Sequence, residues 1–158
     1  MRRFGLFLLA GLAGCAPALP PGTVFYASGA DLQSINPLLT IHPLARQVQR
    51  HVLFTTLVRY DTLLRVQPYL AAGWTWSLDR RVLTLMLRGD VRWHDGALTS
   101  ARDVAYTLRT AQAPRTAYPR AGDLACLGAV ETPDARTVRL TFCRPQRDVP
   151  DVLADLAI

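Results

Sequence analysis

The sequence predicts a mixed fold of strands and helices, α/β in the broad sense and α+β in its detail. Leu83, Leu85 and Leu87 fall on every second position, the period of a half-buried strand. Leu44, Val48, Val52, Leu53 and Leu57 recur at helical spacing. Strand and helix signals follow one another in no strict βαβ order. With 158 residues, half of them hydrophobic and 19% charged, the chain suffices for one globular domain, since a chain near this length buries roughly 70% of its unfolded surface. That composition excludes intrinsic disorder. Ten Gly and 11 Pro without a period exclude collagen-like and low-complexity classes.

One apolar run stands out, and it opens the chain. Arg2 and Arg3 precede Phe4 to Gly14, and Cys15 follows. The run is too short to cross a bilayer, which takes about 20 residues in a helix, so a polytopic membrane protein is excluded. A basic start, a short apolar centre and small residues before a cut are the anatomy of a secretory signal. Leu12-Ala13-Gly14-Cys15 resembles the lipobox of bacterial lipoproteins, which implies a diacylated Cys15 as the first mature residue. The alternative is an ordinary signal peptide with a cysteine at that place. On the lipoprotein reading, 1–14 is the signal peptide and 15–22, rich in proline, is an extended tether. The mature chain is then 158 less 14, or 144 residues, held outside the cytoplasm by its lipid.

Formal net charge is +6, or +4 without Arg2 and Arg3. All 18 basic residues are Arg, and Glu131 is the only Glu, a bias of the kind a GC-rich genome imposes. The arginines are scattered along the chain, whereas a phosphate-tracking surface requires a clustered patch or stripe. Nucleic-acid binding is therefore not expected.

The elements run in order along the chain. Thr23 to Ala27 reads as a first strand, and Asp31 to Leu39 as irregular, with Pro37 holding Asn36 extended. Leu44 to Leu57 reads as a surface helix that turns Arg46, Gln47, Arg50 and His51 away from its apolar side. Strands are expected at Leu57 to Asp61, Trp74 to Ser77 and Val82 to Arg88, with Pro68 interrupting the pattern and Ser77 to Arg81 forming a turn. Gly89 to Leu98 is a loop. Ser100-Ala101-Arg102-Asp103 has the form of a capping box, with Asp103 at the positive helix end. The helix it opens has Ala101, Val104, Ala105 and Leu108 on one face and stops before Pro114. Val149 to Ile158 reads as a last amphipathic turn. Trp74, Trp76 and Trp93 read as core packing rather than as a binding platform.

Cys126 and Cys143 remain as an even pair in an oxidising compartment. Val138, Leu140 and Phe142 alternate on one arm of a hairpin, and a two-residue loop at Asp134-Ala135 sets the two cysteines directly opposite each other. A bridge there would contribute about 3 kcal/mol; the alternative is two buried thiols.

His94-Asp95 raises the question of chemistry. A hydrolase needs a nucleophile, a base and an oxyanion site, and zinc needs three or four clustered ligands. The three histidines, His42, His51 and His94, form no H-x-x-x-H pattern, and there is no C-x-x-C. Asp95-Gly96 reads as a turn with His94 bonded locally. No catalytic residue, no metal site and no cofactor are expected.

An ordered set of motifs carries a family resemblance. Asp31-Leu32-Gln33-Ser34-Ile35-Asn36-Pro37-Leu38, then Leu57-Val58-Arg59-Tyr60-Asp61, Pro68-Tyr69-Leu70-Ala71 with Trp74, and Leu85 to Gly96 through Arg88-Gly89-Asp90 and Trp93-His94-Asp95-Gly96 resemble family 5 extracellular solute-binding proteins. Ser100 to Val104, Thr137-Val138-Arg139-Leu140 and Arg144-Pro145 continue the match. These are the peptide- and nickel-binding subunits of ABC importers. Three positions depart from the pattern. Arg80 stands where a turn Gly is usual, which removes the freedom to take positive φ; Leu98 stands for Pro and Arg102 for an acid.

The resemblance implies that 23–158 is a partial N-terminal lobe, the first of a periplasmic-binding-protein type II-like fold, truncated before the second. It implies a peptide or small solute as ligand, an ABC permease as partner and an extracytoplasmic location. The cleft-lining segments would be Thr40-Ile41-His42 and Arg115 to Arg120, with Thr40, His42, Arg115 and Tyr118 as candidates. Arg115 offers a bidentate fork to a carboxylate, and Tyr118 offers a stacking face with a hydroxyl. The alternative is a truncated remnant that binds nothing. Truncation would also expose an apolar sheet edge.

Overall fold

A computed structural model describes residues 20–23, 32, 34–40 and 42–158. The signal segment, Cys15, most of the tether and the strand expected to Ala27 beyond Thr23 lie outside the described residues. The described elements are α1 (Pro43–Val48), a π turn (Gln49–Leu53), β1 (Val58–Tyr60), β2 (Val66–Pro68), β3 (Ala71–Trp76), β4 (Val82–Leu87) and α2 (Ala101–Gln112). Two 3₁₀ turns (Pro114–Thr116 and Ala121–Leu124), β5 (Leu127–Asp134), β6 (Thr137–Phe142) and α3 (Val152–Asp155) complete the chain.

The mixed fold is present. β1 and β2 form a hairpin, and a four-stranded antiparallel sheet runs in the order β3-β4-β6-β5. The expected alternation sets its inner face. Leu83, Leu85 and Leu87 of β4 and Val138, Leu140 and Phe142 of β6 are buried, together with Ala101, Val104, Ala105, Leu108 and Ala111 of α2. One helix thus covers one face of the sheet, and small residues at its contact positions allow close approach.

α2 begins where the capping signal places it. The Ser100 backbone N–H and hydroxyl both donate to Asp103 Oδ2, at 2.7 and 2.9 Å, so the carboxylate half of the box is formed. Its far end closes off a strand edge: Gln112 donates to the Leu127 carbonyl (2.6 Å) and Arg109 to the Val130 carbonyl (2.6 Å). β5 is an edge strand, but side chains of α2 occupy its outward acceptors, which is one way native sheets avoid edge pairing.

Two expectations need correction. The helix expected from Leu44 to Leu57 ends at Leu53, because its second turn is a π turn closed by the Phe54 N–H onto the Gln49 carbonyl (2.8 Å). An i→i+5 turn inserts a residue and rotates the residues beyond it. Val52, inside that turn, faces solvent at 69% exposure, while Gln49, one turn after buried Ala45 and on the same face, is buried at 3%. Leu57 is buried, but in the bend just before β1 rather than on a helix. Pro68 interrupts nothing: it ends β2 opposite Val58, at the margin of a two-stranded hairpin where a missing N–H is tolerated.

The β5–β6 turn also differs from expectation. Asp134 pairs with Thr137, so the loop is Ala135-Arg136 rather than Asp134-Ala135. Two register shifts, between Glu131 and Asp134 and between Leu127 and Ala129, move the pairing back so that Leu127 faces Phe142. Cys126 and Cys143 come next, with Cα atoms 5.0 Å apart and their sulfurs bonded. Bulges of this kind are invisible to a count of facing residues.

The Ser77–Arg81 turn closes with Ser77 N–H on the Val82 carbonyl (2.9 Å), and Arg80 takes φ +55°. A non-glycine residue in this region costs roughly 1–2 kcal/mol. Arg80 offsets that cost. Its Nε donates to the Gln146 carbonyl (2.8 Å), a terminal nitrogen donates to the Arg147 carbonyl, and the guanidinium lies over the Trp76 ring at 5.0 Å. Trp74, Trp76 and Trp93 all pack partly buried against the core, with Trp76 and Phe142 centroids 5.9 Å apart.

Two charged hydrogen bonds at about 1.5 kcal/mol or more each, with a cation–π contact of about 0.5 kcal/mol or more, outweigh the backbone strain. Arg80→Gly should therefore destabilise the protein by about 1–2 kcal/mol despite relieving the turn. Urea denaturation measures it, and a stabilised variant would show that strain dominates.

Candidate functional site

The irregular segment after Ser34 is fixed by short-range bonds. The Asn36 N–H donates to Ser34 Oγ (3.0 Å) and the Leu38 N–H to Asn36 Oδ1 (2.9 Å), the self-bonding that lets Ser and Asn hold turns. Buried Gln49 donates to the carbonyls of Ser34 and Asn36, both at 3.2 Å, so the π turn holds this segment in place. The His42 N–H then donates to Thr40 Oγ1 (3.1 Å), and Pro43 opens α1 at a position where its missing N–H is harmless.

Arg46 and Arg50 lie four residues apart and share a face of this helical segment. Both reach Asp155 of α3. Arg50 donates to Asp155 Oδ1 (2.8 Å) and to the Ala154 carbonyl (3.0 Å), and Arg46 donates to Asp155 Oδ2. Arg120 arrives from the loop before the second 3₁₀ turn and donates to the same Oδ2, and also to Asp123 (2.6 Å). One carboxylate, 17% exposed, thus faces three guanidiniums. Burial lowers the Arg50 pKa, and repulsion by Arg46 and Arg120 lowers it further. The arginines were expected to face solvent opposite the packed side; they face Asp155 instead.

Thr40 and Tyr118 meet at this corner. They line a cavity of about 20 Å³ with Gln49, Arg50, Arg120 and Asp155, room for about one water. Tyr118 is buried, and that burial raises its phenol pKa. His42 sits at the start of α1 with Nδ1 buried and, among the described residues, without a hydrogen-bond partner. Arg115 is not brought here; it is exposed and lies beside the outer face of α2. His94 is exposed next to a turn in which Gly96 takes φ +87° and the Ala97 N–H donates to Asp95 Oδ1 (2.9 Å).

The corner opens onto larger recesses. A depression of about 510 Å³ lies between Arg50, Arg120 and Asp155 on one side and Tyr60, Leu64 and Asp151 on the other. Tyr60, Leu64 and Asp151 also border a recess of about 640 Å³ that reaches Trp74, Trp76 and Arg80. Both volumes fall within the range of small-molecule sites. They combine both signs of charge with aromatic faces, an arrangement suited to a polar solute with apolar parts. Tyr60 donates its hydroxyl to Asp151; that bond, burial and the Asp151 charge push its pKa up to about 12. Among the described residues, no three His, Cys, Asp or Glu side chains gather as a metal site would require.

Reasoning from the sequence missed Arg46, Arg50, Asp155 and the Tyr60–Asp151 pair, and included Arg120 only as the end of the Arg115 to Arg120 segment. A signal existed in the i,i+4 arginines and in an aspartate set among the apolar residues of the last segment.

Comparison with known proteins agrees with this architecture. Residues 65–158 match the bacterial extracellular solute-binding proteins, family 5 (middle region). A putative ABC transporter peptide-binding protein of Brucella ovis is 30% identical over 149 residues, covering 90% of this chain and 27% of that protein. The chain therefore spans about a quarter of the length of the curated relatives it matches. NikZ from Campylobacter jejuni, in complex with Ni(L-His), superposes with a TM-score of 0.70 at 26% identity, over 82% of this chain and 26% of that one. Haemophilus influenzae OppA, in complex with the peptide RPPGFSPFR, gives 0.74 at 25% identity, over 82% and 29%. The mixed fold is thus that of the type II-like binding proteins.

The Tyr60–Asp151 bond makes a prediction about pH. A phenol pKa raised in the folded state contributes stability below its unfolded value near 10. That contribution is lost as pH rises from about 10 to about 12. Ultraviolet titration of tyrosinate should show a late ionisation near pH 12 that Tyr60→Phe removes; an unchanged late phase would contradict the bond.

Proposed function

The chain belongs to the bacterial extracellular solute-binding proteins of family 5, and on that premise we propose that it supplies the N-terminal part of the solute-binding component of an ABC importer for peptides or nickel-type chelates. Its match to that family across 65–158 carries the reading. Likeness to folds that hold Ni(L-His) and a peptide supports the solute classes. The family binds solute rather than transforming it, so no catalytic residue is assigned.

In the whole protein, two lobes would close on solute and present the closed form to a membrane permease. Closure of this kind is a population shift driven by contacts that both lobes make with the ligand. Residues 23–158 are assigned to the first lobe. Thr40, His42 and Tyr118 are assigned to its ligand-facing corner, beside the charged recess at Arg50, Arg120 and Asp155. Residues 1–14 are assigned as signal and 15–22 as tether, with Cys15 carrying the lipid that holds the domain outside the cytoplasm.

A single preparation tests the reading. Protein extracted from the cell envelope should have the mass of a chain beginning at diacylated Cys15; a chain beginning at unmodified Met1 contradicts the anchor. Calorimetric titration of that protein with a mixture of short peptides, and separately with Ni²⁺–histidine, should give weak saturable heat and thermal stabilisation with one of them. Tyr118→Phe should weaken that binding about threefold, or about 0.7 kcal/mol. No heat and no stabilisation with either would leave the chain a non-binding remnant.

A further inference from the structure

The outer face of α2 carries a second candidate surface, away from the corner at Asp155. Arg102, Tyr106, Arg109 and Arg115 line an open groove of about 700 Å³, completed by Thr110 and Thr132. Tyr106 is 72% exposed, a large aromatic face presented to solvent on a helix whose opposite side is fully packed. Among the described residues, none of the three arginines has a carboxylate within ion-pair distance, so no acid neutralises the groove. Asp103, the one acid on the groove wall, is already bonded to the Ser100 N–H and hydroxyl and to Trp93 Nε1 (3.4 Å).

We propose that this groove binds an acidic, extended segment of a partner protein. Arg102 and Arg109 are seven residues apart, about 10.5 Å along the helix, and Arg115 lies beyond them. Charges so spaced suit successive carboxylates on one chain, Arg102 and Arg115 each able to offer a forked pair of N–H donors and Arg109 the donors left by its bond to the Val130 carbonyl; a lone phosphate would engage one of them. Tyr106 between Arg102 and Arg109 offers an apolar face with a polar tip to the intervening residues. The concavity favours an inserted chain over a flat lipid surface. Strand addition to β5 is not the mode, because Gln112 and Arg109 already occupy its Leu127 and Val130 carbonyls. Arg115, which the family resemblance places in the solute cleft, belongs to this surface.

Fluorescence anisotropy of the full chain tests it, using a labelled peptide of about a dozen residues alternating Glu and Ala, its Gln counterpart, and phosphatidylglycerol vesicles in a sedimentation assay. The Glu peptide should bind saturably and the Gln peptide should not. Arg102→Glu with Arg115→Glu should weaken binding by about tenfold or more, and Tyr106→Ala by about threefold. Arg81→Glu with Arg144→Glu, an equal change in net charge at exposed positions elsewhere, should leave it within about twofold. Melting curves establish that each variant is folded. No binding of the Glu peptide, equal loss in both charge-reversed pairs, or vesicle binding with the same dependence on Arg102 and Arg115 would each overturn the proposal. None of those results bears on solute binding at the Tyr118 corner.

Discussion

A single carboxylate ties together segments that the chain brings from far apart. Asp155 accepts from Arg120, Arg50 and Arg46, respectively 35, 105 and 109 residues away in sequence. Taking charges out of water costs several kcal/mol per ion, and mutual attraction repays this only where geometry is good and the remaining donors are satisfied. Here the Ala154 carbonyl and Asp123 take further donors of Arg50 and Arg120, and the arginines keep part of their surface in water. The result is a corner that depends on its carboxylate. Without it, three like charges would face one another around a partly buried centre.

Much of the fold was legible because its core is periodic. The leucines of β4, the alternating residues of β6 and the small residues of α2 each have one buried face, and one face is what a period of 2 or 3.6 reports. Ser100 and Asp103 marked the start of α2 because capping is local. The features that escaped were aperiodic or non-local. The π turn from Gln49 to Leu53 inserts one residue and leaves Val52 outward, while the buried stripe runs through Ala45 and Gln49 rather than through Leu44 and Val48. Two shifts in β5 offset a loop that lies one residue later than expected, so the facing of Cys126 and Cys143 survived a wrong turn assignment.

The site was less legible than the fold. Thr40 and Tyr118 do come together, while Arg115 lies on another face. Arg46 and Arg50 looked like the solvated side of an amphipathic helix, because a sequence read locally does not show a counter-charge more than a hundred residues away. The departure at Arg80 shows the same limit in reverse. Locally it is an unfavourable residue for a turn with positive φ, and only its bonds to the carbonyls of Gln146 and Arg147 and its place over Trp76 explain how the turn tolerates it. Family membership agrees with the core and the strand order. The corner at Asp155 combines both signs of charge, whereas the groove on α2 is lined by three arginines and one acid.

The dependence of the corner on Asp155 is tested most directly by urea denaturation of Asp155→Asn beside Arg120→Gln. Asp155→Asn should cost about 2–4 kcal/mol, with part of the loss recovered in high salt as the arginines are screened. Arg120→Gln should cost clearly less, because Arg46 and Arg50 still hold the carboxylate. An Asp155→Asn protein as stable as the wild type, or a larger loss from Arg120→Gln, would contradict the account.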